Sequence, residues 1–399
     1  MKKIYYITAV FATLFLVGCG DGIDLPGVNV ETDLNKIPLP DNNVNLEQVE
    51  LKPSTEPMLH EGLHTEEDFQ RIRDKKAAGE EPWVSAYQLL VESQFSQKTA
   101  DTYPTEWIKR GISGDENYMN AARGATIVYQ QALRWKIEQD DEYAAKAVEN
   151  LNKWVQTCVG VTGNTNLSLA AGLYGYEFAI AGELLRDYGG WDRADFAAFQ
   201  NWLLKVFYPA NDDFLKRHHD TNALHYWANW CLCNIAAKMA IGIVTDRRDI
   251  YNEGIAHLQT GDTNGRLRRA IYHDYAPDYN FAQWQESGRD QGHTLMCVGL
   301  MGIICQLAWS QGDDFFAYDD NLFLRACEYA ACCNYTNETV PYTTYIWQKQ
   351  SQWGYPIPEE QTTLGGGKWI KRAIWALPYY HYKGIKNISV SYTHLRAHE

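Results

Sequence analysis

Positive charge is scarce in this chain. Its 36 Lys and Arg face 50 Asp and Glu, for a formal net charge of −14. That excludes a nucleic-acid surface, which needs surplus cations to meet phosphates. An anionic ligand stays open, because its binding depends on the field inside a cleft and not on net charge. Such a ligand requires Arg, Lys, His and amide groups gathered at one place. Zinc-site spacing is also lacking, since no Cys–His pattern fits, and no cofactor is expected. The eight cysteines after Cys19 give no disulfide framework. Cys231 and Cys233 are two apart and face different ways on a helix, and Cys332 and Cys333 are adjacent. Most are expected to be small buried hydrophobes. The apolar run Ile4–Val17 is too short for a comfortable membrane span. Alternating strand patterns are lacking too, Val340–Trp347 being the nearest exception, and no strict repeat is present.

What is present points to an exported, aromatic-rich helical protein. Hydrophobic residues make up 45% of the chain, enough for a large core, and there are 14 Trp and 26 Tyr. Such rings fill cores, and they also line clefts where sugar faces stack. Met1-Lys2-Lys3 and the apolar run read as a signal peptide over 1–18. Leu16-Val17-Gly18-Cys19 resembles a bacterial lipobox. Cys19 is therefore expected to carry a lipid, giving an exported lipoprotein, periplasmic or at the cell surface and anchored to the outer membrane. The lipid would be its one link to a membrane. Residues 19–57, polar with Pro and Asn, read as a flexible tether.

From His64 the periodicity is helical. Thr65 caps a first helix with Glu66, Glu67 and Asp68 in its opening turn. Helices are predicted at 65–78, 82–96, 115–138, 141–158, 166–188, 191–207, 220–243, 245–260, 285–311, 319–334 and 366–381, broken by Gly, Pro, Asn and Asp. About eleven helices in short-looped pairs predict an all-α fold, an (α/α)n toroid or incomplete barrel over 58–388. Residues 389–399 differ in character from what precedes them and resemble a translated sequencing-adapter tail. The natural chain is thus expected to be truncated here, and His394 and His398 enter no functional argument.

Two polar stripes stand on otherwise apolar segments. In Asp220–Trp230, residues Asn222, His225, Tyr226 and Asn229 share one face of the predicted helix. In Gln283–His293, residues Glu286, Arg289 and His293 do the same. Buried polar groups demand partners or a cleft, so each stripe is either an internal network or a site. The chemistry that uses these groups is β-elimination on a uronate. The C5 proton is weakly acidic until the adjacent carboxylate is neutralised, which Asn, His, Gln or Arg donors accomplish. His or Tyr suits the base, and Tyr suits the acid at the leaving oxygen. On the helix face, His225 is the expected base. His218 and His219 are read as loop residues.

Thr221–Trp230 followed by Asp246-Arg247-Arg248-Asp249 resembles the Asn-Asn-His…Tyr-Trp-Ala…Trp…Arg-Arg-Asp pattern of the α/α-toroid alginate lyases. Glu286-x-x-Arg289 resembles their Glu-x-x-Arg element, and Leu63–Phe69 resembles the start of their catalytic domains. The resemblance spans about residues 58–385 and marks a divergent member. It implies Asn222 as carboxylate neutraliser and Arg289 as neutraliser or positioner. Leu224 stands in the family's His slot, and Met296 stands where the family has its catalytic Tyr. The catalytic set is therefore expected to be Asn222, His225, Arg289, His293 and Tyr226, with a further Tyr drawn from Tyr174, Tyr176, Tyr279, Tyr342 and Tyr345. Asn229, Gln285, Glu286, Trp284 and Tyr176 are assigned to substrate binding. The expected activity is a polysaccharide lyase acting on an anionic polyuronate, alginate foremost. The alternatives are a glycoside hydrolase on the same toroid, using two of Glu286, Asp290, Glu177 and Asp220, or a non-catalytic glycan-binding surface lipoprotein.

Overall fold

The computed structural model describes residues 55–396. The stretch expected to be a signal peptide, Cys19 and nearly all of the expected tether lie outside them. Four long helices are buried along almost their whole length: α3 (Tyr118–Glu138), α5 (Leu167–Leu185), α8 (Ala228–Val244) and α11 (Gln291–Ser310). Helices apolar all round belong in a core. Although α11 is long and apolar enough to cross a membrane, it is mostly buried inside this protein. Each is followed by a partner helix: α4 (Asp141–Thr157), α6 (Arg193–Val206) with α7 (Tyr208–Arg217) and α9 (Arg248–Thr260), which bury one face, and α12 (Tyr318–Tyr335), which is buried from Leu322 to its end. On α4, for example, Tyr143, Ala144, Ala147, Val148, Leu151 and Trp154 form the buried stripe. Helices α1 (Glu66–Ala77) and α2 (Trp83–Glu92) precede this series, and short α10 (Leu267–Ala270) and α13 (Ala376–Tyr379) complete it. The result is an α/α toroid.

Close packing joins the inner helices. A Cβ added to Gly172 on α5 would lie 2.5 Å from Cys233 Sγ and 3.0 Å from the Asn234 amide nitrogen on α8. Gly172→Ala is therefore expected to cost about 1–3 kcal/mol, read as a drop in denaturant midpoint. The Phe178 ring centroid lies 5.3 Å from that of Trp154 and 5.2 Å from that of Trp202, tying α5 to α4 and α6. The eight described cysteines are buried and form no disulfide with one another.

The inner helices begin at the same end of the toroid. Strands β1 (Trp107–Arg110) and β2 (Gly160–Gly163), which lead into α3 and α5, pair in parallel. Ser168 Oγ, at the start of α5, lies 2.8 Å from Nε2 of His219, just ahead of α8. Gln285 and Glu286, just ahead of α11, bond the first amides of α8. This end also carries the hairpins of β3 (Ile271–Asp274) with β4 (Ala282–Trp284) and of β5 (Tyr345–Gln350) with β6 (Pro356–Gln361). Four macrodipoles thus turn their positive ends toward one face.

The toroid expected from sequence is present, but three predicted helices differ. The 220–243 helix starts only at Ala228. The 285–311 helix divides into a 3-10 turn, Gln285–Gly288, and α11. In 366–381, helix begins only at Ala376. Helix α7 went unread because Pro209 looked like a break, whereas Pro in the first turn is compatible with a helix. Residues 391–393 of the tail bond the buried Glu328 carboxylate through their amides.

Candidate active site

Residues 218–227 form a loop and not a helical stripe. His218, His219 and Asp220 take left-handed φ values of 49°, 52° and 60°, a conformation that ends α7 and that non-glycine residues rarely adopt. Asn222 then closes a local turn, its Oδ1 accepting from the Leu224 amide at 3.0 Å. Such side-chain bonds compete with helix. Asn222 Nδ2 donates to the Gln348 carbonyl at 3.0 Å and to Gln350 Oε1 at 2.9 Å. Both its donors and its acceptor are engaged, so Asn222 ties the loop to β5 and offers nothing to a substrate.

His225 is held differently. Its Nδ1 accepts from the Gln350 amide at 2.8 Å. In the neutral ring the proton is therefore on Nε2, which has no partner among the described residues and is not one of the sealed polar atoms. Burial, helped by the charge of Lys349, lowers the His225 pKa to about 4. A ring fixed in this way is a hydrogen-bond donor and not the base expected from sequence. Tyr226 is buried beside it, its pKa raised to about 12 by burial against a lowering bond from the Thr165 side chain.

A ladder of flat groups carries this loop across to the second segment. The His225 ring stacks on Trp347 at 5.9 Å, Trp347 stacks on Trp227 at 4.8 Å, and the Arg289 guanidinium lies 5.2 Å from the Trp227 ring centroid. His225 and Arg289 thus stand on one continuous wall. Of the other tyrosines considered, Tyr174, Tyr176 and Tyr345 are buried. Tyr342 donates to the Gln361 carbonyl, and Tyr279 is exposed on the β3–β4 turn.

Residues assigned to substrate binding are sealed instead. Glu286 is fully buried and accepts from the Asn229 amide at 2.8 Å, Asn229 Nδ2 at 2.7 Å and Cys297 Sγ at 3.2 Å. Its other oxygen pairs with Arg289 Nη1 at 3.1 Å. Gln285 caps Ala228 through Oε1, and Trp284 donates to the Ala326 carbonyl inside the core. Tyr176 is buried and bonded to Glu177. Glu286 thus fixes α8 and Arg289 from behind. Glu286→Gln is expected to cost about 3 kcal/mol, the scale of breaking a buried pair, as a thermal shift. A catalytic carboxylate would lose activity without that shift.

Asp290 and His293, each named from the sequence for a different role, form a pair at the start of α11 that the sequence reading did not connect. Asp290 caps the helix, its Oδ1 accepting from the His293 amide at 2.8 Å, while Oδ2 lies 2.5 Å from His293 Nδ1. Burial pushes the Asp290 pKa up, but the His293 bond and the charge of Arg289 outweigh it and hold the carboxyl below its usual range. The ionised Asp290 draws the imidazole proton to Nδ1 and makes Nε2 the basic nitrogen, as in a base with its orienting carboxylate. The i, i+3 spacing of Asp290 and His293 was the available signal. A separate cavity of about 150 Å³, lined by His64, Lys136 and Glu183 among others, lies at the opposite end of the inner helices.

The family model described as Alginate lyase matches residues 73–338. The chain belongs to the alginate lyase family. No curated protein matches it significantly. Among solved structures, a His-to-Ala variant of alginate lyase A1-III complexed with tetrasaccharide aligns with a TM-score of 0.51 at 15% identity, covering 69% of this chain and 79% of that one. An alginate lyase from Bacteroides ovatus aligns with a TM-score of 0.48 at 14% identity, covering 67% and 81%. Alginate lyase A1-III from Sphingomonas species A1 aligns with a TM-score of 0.46 at 14% identity, covering 66% and 75%. At such identities the first likeness speaks for the fold alone. As a member of the alginate lyase family the chain is a polysaccharide lyase, and two of its departures are physical. Leu224, in the His slot, is a buried core residue, and Met296, in the Tyr slot, is buried on α11. In this alginate lyase family member a Tyr at position 296 would meet packed side chains, whereas His293 sits one turn nearer the helix start.

Proposed function

We propose that the protein cleaves a polyuronate, alginate foremost, by β-elimination, with His293 as the base. The observation that carries this reading is the Asp290–His293 pair beside Arg289, at the mouth shared by the inner helices. The Arg289 guanidinium and the His225 Nε2–H meet the substrate carboxylate and stabilise the charge that grows on it. His293 Nε2 takes the C5 proton. The C–H electrons form the C4–C5 double bond as the C4–O bond breaks, and the imidazolium returns its proton to the departing oxygen. Helix dipoles add a positive field for the anionic chain.

Chemical reduction of the polymer's carboxyl groups is the test. Carboxyl-reduced alginate is expected to resist cleavage at least 100-fold more than native alginate, followed by ultraviolet absorbance and reducing ends. Equal cleavage of both would sink the reading. A hydrolase has less support, because Glu286 and Glu177 are sealed in the core and Asp220 is paired at the surface with Arg217. Export and lipid attachment at Cys19 belong to the same proposal and rest on the signal sequence. Cys19→Ser is expected to abolish incorporation of labelled fatty acid, and unchanged labelling would contradict it.

A further inference from the structure

The acidic chain carries a basic stretch that the mechanism above does not use. Between Gln361 and Ile388 stand Lys368, Lys371, Arg372, Lys383 and Lys386 without one acid, in a protein of net charge −14. The first three fall in Leu364-Gly-Gly-Gly-Lys-Trp-Ile-Lys-Arg372, a loop packed backbone to backbone on the segment that holds Arg289 and His293. Gly365 donates its amide to the Ser287 carbonyl at 2.8 Å, and the Gln291 amide donates to the Gly366 carbonyl at 2.9 Å. A Cβ on Gly365 would lie 2.4 Å from the Arg289 carbonyl carbon and 2.5 Å from the Asp290 nitrogen. Only glycine allows that approach. Arg372 Nη2 comes to 3.9 Å from a Cβ built on Gly292, next to His293.

The loop displays what it holds. Trp369 is 52% exposed at a φ of 62°, a left-handed conformation that is costly for a bulky residue and clusters at functional sites. Its amide is fixed to the Asn334 carbonyl at 3.0 Å. Lys368 and Lys371 are exposed, and neither forms an ion pair among the described residues. The Lys368 Nζ donates only to a backbone carbonyl, that of Thr336 at 3.2 Å. An exposed aromatic flanked by unneutralised cations, seated against the reaction centre, matches a sugar ring that carries a carboxylate.

We propose that residues 364–372 form a uronate subsite adjoining the reaction centre. Trp369 stacks on the face of a sugar ring, and Lys368 and Lys371 meet the carboxylates of that sugar or its neighbour. The subsite rests on the polyuronate reading, so its test separates binding from turnover. Trp369→Ala and the double variant Lys368→Ala/Lys371→Ala are compared with the parent protein on alginate, by initial rate and by equilibrium binding in a His293→Ala background. Each is expected to raise KM and the dissociation constant about tenfold, with kcat within about twofold. The double variant is also expected to show a weaker dependence of binding on salt. Both variants change exposed side chains, and an unchanged melting temperature confirms their fold. Parent-like binding and salt dependence in both would overturn the subsite even if the protein proves to be a lyase. Lost binding in a protein that yields no unsaturated product would keep the subsite and remove the lyase chemistry.

Discussion

His293→Ala lowers kcat by about three orders of magnitude, within the range for removal of a positioned general base, and leaves the melting temperature within about a degree. The side chain is partly exposed, so truncation empties no core. Asp290→Asn is the companion. Its Oδ1 still caps α11, but an amide no longer anchors the proton on Nδ1 as an ionised carboxylate does. Activity is expected to fall about 100-fold with a smaller loss of stability, the cap itself contributing about 1 kcal/mol. His225→Ala behaves differently. It removes a donor and not the base, so a loss of about 10- to 100-fold is expected. Equal losses in His225→Ala and His293→Ala, with parent-like activity in Asp290→Asn, would reverse the assignment.

Acid is expected to unfold this protein steeply between pH 6.5 and 4. His64, His225 and His257 are lowered to about 4, and His218 and His381 to about 3, burial being the first cause in each. Their unfolded value is near 6.5, so in that window the unfolded chain binds the extra protons. The stability these groups contribute is fully present above about pH 6.5 and is lost as pH falls toward the folded values. Each histidine gives a slope of about 1.4 kcal/mol per pH unit. Glu177 and Glu183, raised by burial, run the other way and cancel part of it. The remainder, a few kcal/mol per unit, exceeds typical domain stability before pH 4. His381 isolates the effect, since its ring stacks 3.6 Å from Phe316 and packs against Trp309. His381→Phe is expected to flatten the acid limb of a urea-midpoint series by about one proton. An unchanged limb would show that His381 takes up its proton in the folded state as readily as in the unfolded one.

The toroid was legible because α5, α8 and α11 are apolar on every side, and a long run of that kind has to be an inner helix. The 218–227 loop was not. Its polar residues fall at helical spacing, yet the left-handed turn at His218–Asp220 and the bonds from Asn222 to Gln348 and Gln350 override that period. Those partners lie more than 120 positions away, where no local pattern reaches. Arg289 and His293 could be singled out because their polar run leads into a long apolar segment, and that segment is the helix α11, which begins at Gln291 and not at 285. Glu286 and Asn229 were misread for a shared reason. A buried carboxylate and amide that satisfy each other look, in sequence, like two groups awaiting a ligand.

Counting chain ends is the most direct measurement of the central proposal. During digestion of alginate by the parent protein, new unsaturated ends are compared with new reducing ends. Elimination driven by the Asp290–His293 pair predicts one unsaturated end for every reducing end, and both vanish together in His293→Ala. Reducing ends that accumulate without unsaturation would contradict it.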